Sequence, residues 1–555
     1  MNKKVCSFPI LFALLALLIG TCAVVFPASA QAAPTSTGSI TVSGTVASSY
    51  DAYQIFSANV VDGDSDAKIA TDLAWVSDAV RDAALPVLHS AGMPNSQTTA
   101  QEAAEWLNTD SHLTSALSAQ LARSLQSSGA RPAALNAGTT AELPCGYWLI
   151  VADDDAIAQG EAGTAPIMAL VGDSAVTVKP KASTPKVAKH VLEDSTAAWQ
   201  KAADATVADD LYWRLSATVP AGLTAYDTYT VRFVDTMSAG LDPSKVAASM
   251  RVYVAAGADG GFDAVSAGKD GRAGTEPAKG WTDITVQCVT KVVADGTFTV
   301  RTGDLIAALG GADAFTAGAR VVAVYNAPLN SACNHGIAKG NPNEVYLRYP
   351  RSPLADQSGD AGFTRTPSDD ACAYTWDLAL TKRGSDGDKP LAGAVLSIAD
   401  DRGRTLAADG TLDAEGKATV TTGEDGRVTV SGVDSGKLEV RELKAPKGYT
   451  AFEGTRSVTV KAEGLDVDQV AAAKPKLTIT AESPLRADSA DGSTGSLEAS
   501  LINTPTGTPP SITTGGFMPL TGDMAMYAAA AAAVAGAALI VVALLVKRGG
   551  GSHKK

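Results

Sequence analysis

The sequence predicts a mainly β protein made of tandem immunoglobulin-like β-sandwich domains, the N-terminal one with a helical insertion. Three observations lead there. Short runs that alternate apolar and polar residues, among them "GSITVSGTV", "DTYTVRFVD" and "GRVTVSGV", recur along the chain between Gly, Asp and Asn turns. Gly, Thr, Val, Ala and Asp are plentiful, while aromatic residues make up only 6% of the chain, a balance that favours modular β-rich structure. Finally, the roughly 490 residues that lie between two terminal addresses are too many for one core and enough for three domains.

The first address is residues 1–30. Lys3 and Lys4 precede the apolar stretch "ILFALLALLIGTCAVV", and "ASA" at Ala28–Ala30 supplies the small residues of a cleavage position, so this is read as a secretory signal cut after Ala30. A lipoprotein reading through Cys22 has less support, because "IGT" lacks the expected leucine three residues upstream.

Residues 34–180 form the first block. Strand-like alternation in "GSITVSGTV" and "YDAYQIFSANVVDG" gives way to the helical spacing of "TTAQEAAEWLNTDSHLTSALSAQLARSLQ", with Thr98 or Thr99 as the cap, and strands return at "GYWLIVAD" and "SAVTVKPK". The second block, 184–368, holds "DLYWRLSATV", "DTYTVRFVD", "WTDITVQCVTKVV", "ARVVAVYNA" and "NEVYLRY", a spacing that suits an antiparallel sandwich. The third, 374–505, runs from "YTWDLALTKRG" to "GSLEASLINTP" and reads as a second small sandwich. Residues 506–517 are a Thr, Pro and Gly tether without periodicity.

The net charge of −14 argues against nucleic acid as a partner and suits an exposed, soluble surface. Four cysteines survive signal removal, Cys145, Cys288, Cys333 and Cys372, and in an exported chain they can pair in three ways; Cys333 with Cys372 is the pair expected first. No spacing suggests a metal, no cofactor is implied, and the five scattered histidines form no triad-like or ligand-like pattern, which argues against an enzyme.

The tail, 518–555, is a composite. "MPLTG" is followed by an uncharged run from Met524 to Val546, which as a helix reaches roughly 34 Å, enough to span a hydrocarbon core, and then by Lys547 and Arg548. This arrangement resembles the sorting signal of Gram-positive cell-surface proteins, with Met518 where the family has Leu. The resemblance implies that a sortase recognises Met518, Pro519, Leu520, Thr521 and Gly522, attacks the carbonyl of Thr521, releases everything from Gly522 onward, and passes the acyl group to an amine. The membrane helix would then be a temporary hold.

The three blocks together resemble the sortase-assembled major pilins, the shaft subunits of Gram-positive pili. At the end of their first domain such pilins carry a "VYPKN"-like motif; the matching stretch here is "VKPKA", which implies Lys181 as the acceptor amine, with Lys179 its nearest competitor. In the third block "LALTKRG", "VRELKAPKGYT" and "LINTP" resemble the lysine, E-box and asparagine motifs of collagen-adhesin B-type domains. Carried over, Lys382 is the amine, Asn503 the carboxamide and Glu442 the assisting carboxyl of an intramolecular isopeptide bond. In the second block "PKVAKHV", "VDTMSAGL" and "GNPNEVYLRY" imply Lys189, Asp235 and Asn343 in the same roles, with Lys186 and Asn341 as close alternatives.

Such chemistry has physical requirements that hold for any fold. A lysine amine attacks only when neutral, so burial must lower its pKa, and the partner carboxyl must be able to hold the proton in the same apolar setting. Each bond would tie the first strand of a sandwich to its last, so that pulling force bypasses the rest. The expectation is therefore a structural subunit joined through Thr521 to Lys181 of its neighbour. The partners the resemblance implies are sortase, neighbouring pilin subunits and peptidoglycan, with a tip adhesin and a host surface as open candidates. It would be secreted to the cell wall and surface. The alternative is a wall-anchored adhesin that does not polymerise.

Overall fold

The computed structural model describes residues 36–507, apart from 63–67, 110, 182–183, 222, 258–279 and 294. The signal peptide, most of the tether, the pentapeptide Met518–Gly522 and the apolar run after it lie outside the described residues. Among the described residues no helix is long and apolar enough to cross a membrane.

The protein is mostly β, with tandem domains and the main helices near the N-terminus. In the first domain the strands Ser49–Asp62 and Gly146–Ala152 run antiparallel at the centre of a five-stranded sheet. Because side chains alternate along a strand, this sheet presents two apolar faces. Tyr50, Ala52, Trp148 and Ile150 meet Ile40 and Val42 of a three-stranded sheet, whereas Tyr53, Ile55, Leu149 and Val151 meet the helices.

Three helices, Asp78–Ser90, Ala100–Asn108 and Ser115–Ser127, fill the insertion. The long helical stretch read from the sequence is thus divided. Thr99 opens its first part with a capping box to Glu102, and Thr114 caps a second start by accepting from Leu117 N. The helix Asp78–Ser90 was not expected; Pro86 inside it weakens the periodic signal, and Ser77 caps it through Val80 N.

The middle domain packs a six-stranded sheet against a seven-stranded one. Strand Val187–Glu193 lies beside Tyr212–Thr218, which in turn pairs with Arg320–Asn326. In the facing sheet Asn341–Pro350 pairs with both Arg232–Met237 and Asp369–Tyr374. Trp213, Leu215, Phe233, Phe298, Val345 and Leu347 fill the space between the sheets. The strand Asp369–Tyr374, which spans the gap between the second and third blocks, belongs to this sheet by its pairing.

The C-terminal domain repeats the plan at smaller scale. Trp376–Gly384 and Ser496–Pro505, its first and last strands, are parallel neighbours, with Lys382 level with Leu501 and Gly384 with Asn503. Gly436–Lys444 runs in the facing sheet between Val395–Ala399 and Thr455–Glu463. At the junction with the middle domain, Trp376 Nε1 donates to Asp204 Oδ2 at 2.6 Å, and the Arg404 guanidinium clasps both oxygens of Asp209 at 2.8 and 2.6 Å.

Candidate functional site

In the C-terminal domain the inward face of the first strand reads Trp376, Leu378, Leu380, Lys382, and that of the last reads Leu497, Ala499, Leu501, Asn503. Period-two alternation therefore places a lysine and an asparagine where two more core residues would stand. Glu442 follows Leu438 and Val440 on the facing sheet by the same rule. All three side chains are buried.

The three groups meet. Lys382 Nζ hydrogen-bonds Asn503 Oδ1 and lies 3.5 Å from Glu442 Oε1. Asn503 Nδ2 donates to both Glu442 oxygens, at 2.9 and 3.1 Å, and Phe452 N anchors Glu442 Oε2 at 3.0 Å. The carboxamide thus sits between an amine and a carboxylate in a dry core. Burial, opposed by the attraction of Glu442, pushes the Lys382 ammonium down to about 8. A substantial neutral fraction at mildly basic pH follows.

The middle domain builds a second cluster across its two sheets. Val187, Lys189 and Val191 share one face of their strand, so Lys189 enters the core, where it is 0% exposed. Its Nζ hydrogen-bonds Asp235 Oδ2, a residue that follows Val231 and Phe233 inward on the opposite sheet. Burial holds the Lys189 ammonium down at about 8 despite Asp235, and raises the Asp235 carboxyl above its ordinary range despite Lys189. Lys201 Nζ and Lys189 N both bond Asp369 Oδ2, fixing the lysine strand to the facing sheet.

Asn343 is also fully buried, level with Met237 in the pairing. Its Nδ2 donates to Tyr325 OH at 2.8 Å, and among the described residues its Oδ1 has no hydrogen-bond partner. Tyr325, which motif reading missed, is the hub: its hydroxyl lies 3.0 Å from Lys189 Nζ and 3.1 Å from Asp235 Oδ2. The sequence signal is only "VVAVYNA", in which Val321, Ala323 and Tyr325 point inward like any core strand.

The alternatives separate by position. Lys186 is exposed, and its backbone N donates to Thr218 Oγ1. Asn341 is buried but ties the 334 loop, accepting from Asn334 N and donating to Asn334 O and Ala373 O. One expectation is corrected: Asn343 lies inside strand Asn341–Pro350, and Asp369–Tyr374 follows it, so the middle cluster does not join the first strand to the last. Lys181 and Lys179 are both exposed just after strand Val176–Val178.

Cys145, Cys288, Cys333 and Cys372 are all free thiols. The expected Cys333–Cys372 pair is therefore not formed; Cys372 Sγ instead contacts Ala373 O at 3.7 Å.

A family model for the SpaA prealbumin-like fold domain matches residues 377–474. Over those residues the chain is similar to a SpaA domain. That match holds Lys382 and Glu442, while Asn503 lies beyond its end on the last strand of the same sandwich. The chain is 30% identical over 143 residues to the trypsin-resistant surface T6 protein of Streptococcus pyogenes serotype M6, spanning about a quarter of that relative, with 24% of each protein covered. Among solved structures it resembles the T6 backbone pilin of serotype M6 Streptococcus pyogenes at a TM-score of 0.46 and 17% identity, covering 86% of this chain and 100% of that one. It also resembles the major pilin SpaD of Corynebacterium diphtheriae at 0.41 and 15%, with the same two coverages.

Proposed function

We propose that this chain is the backbone subunit of a covalently polymerised Gram-positive pilus. Sortase cuts it between Thr521 and Gly522 and joins Thr521 to Lys181 of the next subunit, and two intramolecular bonds, Lys382–Asn503 and Lys189–Asn343, harden each subunit. The chain is a substrate in this scheme; each internal bond forms once and turns nothing over. The last subunit passes to peptidoglycan, which leaves the polymer at the cell surface.

The observation that carries the reading is the contact of Lys382, Glu442 and Asn503 in one dry pocket on the parallel first and last strands. Neutral Lys382 attacks Cγ of Asn503, Glu442 takes the proton that the amine sheds and returns it to the departing nitrogen, and ammonia leaves. Mechanical use follows from topology. Force that enters at Trp376 crosses from Lys382 to Asn503 and exits at Pro505, without loading the residues between.

Polymerisation is tested by blotting cell-wall extracts for high-mass ladders. Lys181→Ala is expected to abolish the ladders, and Lys179→Ala to leave them. Ladders that persist in Lys181→Ala overturn the Lys181 assignment, and their absence from the unaltered strain favours a wall-anchored adhesin.

A further inference from the structure

The two clusters differ in how the carboxamide is held. Glu442 reaches Asn503 Nδ2 directly with both oxygens. Asp235 has one methylene fewer, and among the described residues its oxygens bond Lys189 and Tyr325 but not Asn343. The Tyr325 hydroxyl occupies the gap, within hydrogen-bond reach of amine, acid and carboxamide nitrogen together. It is fully buried, with its ring edge-on to Phe298 at a centroid distance of 4.8 Å, which fixes the ring in place while the O–H can still rotate.

We infer that Tyr325 is a catalytic residue of the middle-domain bond, its hydroxyl relaying a proton from Asp235 to the departing nitrogen of Asn343. This rests on the reading of the Lys189 cluster given above. The steps balance as follows. Lys189 Nζ, neutral after passing one proton to Asp235 Oδ2, attacks Cγ of Asn343 and forms the new C–N bond. The Cγ–Nδ2 bond breaks as Nδ2 gains one proton and departs as ammonia, and a second proton leaves Nζ, as it becomes an amide nitrogen, for Asp235 Oδ2, which the relay has left unprotonated.

The relay depends on a reversal at Nδ2. In the amide its lone pair is delocalised, so it can only donate, and it does so to Tyr325 OH. Once Cγ becomes tetrahedral, Nδ2 is an ordinary amine and accepts. Tyr325 then gives Nδ2 its own proton and takes the one on Asp235 Oδ2, returning to its starting state. Burial raises the Tyr325 phenol well above its ordinary value, so it stays protonated and able to donate throughout.

The test follows link formation in the full-length chain and its Tyr325→Phe variant during cell-free synthesis, by mass mapping of the branched Lys189–Asn343 peptide over time. In Tyr325→Phe the link is expected to form about 10²-fold more slowly. The Lys382–Asn503 link in the same molecules should form at the normal rate. The thermal midpoint of Tyr325→Phe before linkage should equal that of Asn343→Ala. Linkage at the unaltered rate overturns the inference, and so does a Tyr325→Phe chain that melts well below Asn343→Ala, since Tyr325 would then serve packing. Absence of the link from the unaltered chain would instead defeat the reading of the Lys189 cluster itself.

Discussion

Lys382 and Asn503 stand on adjacent parallel strands, 121 residues apart in sequence, with the lysine amine hydrogen-bonded to the carboxamide oxygen. A bond closed there spans nearly the whole C-terminal domain. In the chain-entropy view, cross-linking a loop of about 100 residues stabilises a fold by about 4.7 kcal/mol. Glu442→Ala should block closure while leaving both reactants in place, and lower the domain's stability by about that amount in thermal or denaturant unfolding. Equal stability with and without Glu442 would contradict its role.

Unlinked chains should show a distinctive pH dependence. In Asn343→Ala, Lys189 remains a buried amine whose folded pKa, about 8, lies below its unfolded value of about 10.4. Between those values the unfolded state binds more protons, so stability rises with pH across that window. In the linked chain Lys189 is an amide and does not titrate. Denaturant midpoints of Asn343→Ala at pH 7.5 and 10 should therefore differ in favour of the higher pH, beyond any change in the linked chain.

Pulling experiments should distinguish the two domains. The C-terminal bond spans the first and last strands, so that domain should give no unfolding step. In the middle domain residues 344–374 lie beyond Asn343 and stay in the force path. Their release adds at most roughly 110 Å at about 3.5 Å per residue. A longer step would mean that Lys189 and Asn343 are not joined.

Thiol titration of the denatured, unreduced mature chain should count four free cysteines. Before denaturation Cys288 should react ahead of the buried Cys145, Cys333 and Cys372, though slowly, because burial pushes its thiol up to about 11. A count of two would restore a disulfide.

Much of this was legible in the sequence because strands report burial by parity. Lys382 stands two places after Leu380, and Asn503 two after Leu501, so a charged and an amide side chain at core-facing positions announce themselves within alternating runs. Tyr325 does not, since a tyrosine at an inward strand position looks like ordinary core. Nor could parity choose between Asn341 and Asn343, which share a face and are both buried; only their partners on other strands tell them apart. The helix Asp78–Ser90 escaped notice through its internal Pro86, and strand Asp369–Tyr374 because its pairing partners come from distant sequence.

The most direct measurement is the mass of the purified chain after reduction and denaturation, with peptide mapping at Lys382–Asn503 and Lys189–Asn343. A mass short of the sequence by two ammonias, with both branched peptides recovered, is the predicted result. A mass equal to the sequence, with all four residues in linear peptides, would mean that the buried clusters are only hydrogen-bonded core polar groups, and would contradict the proposal of a covalently hardened shaft subunit.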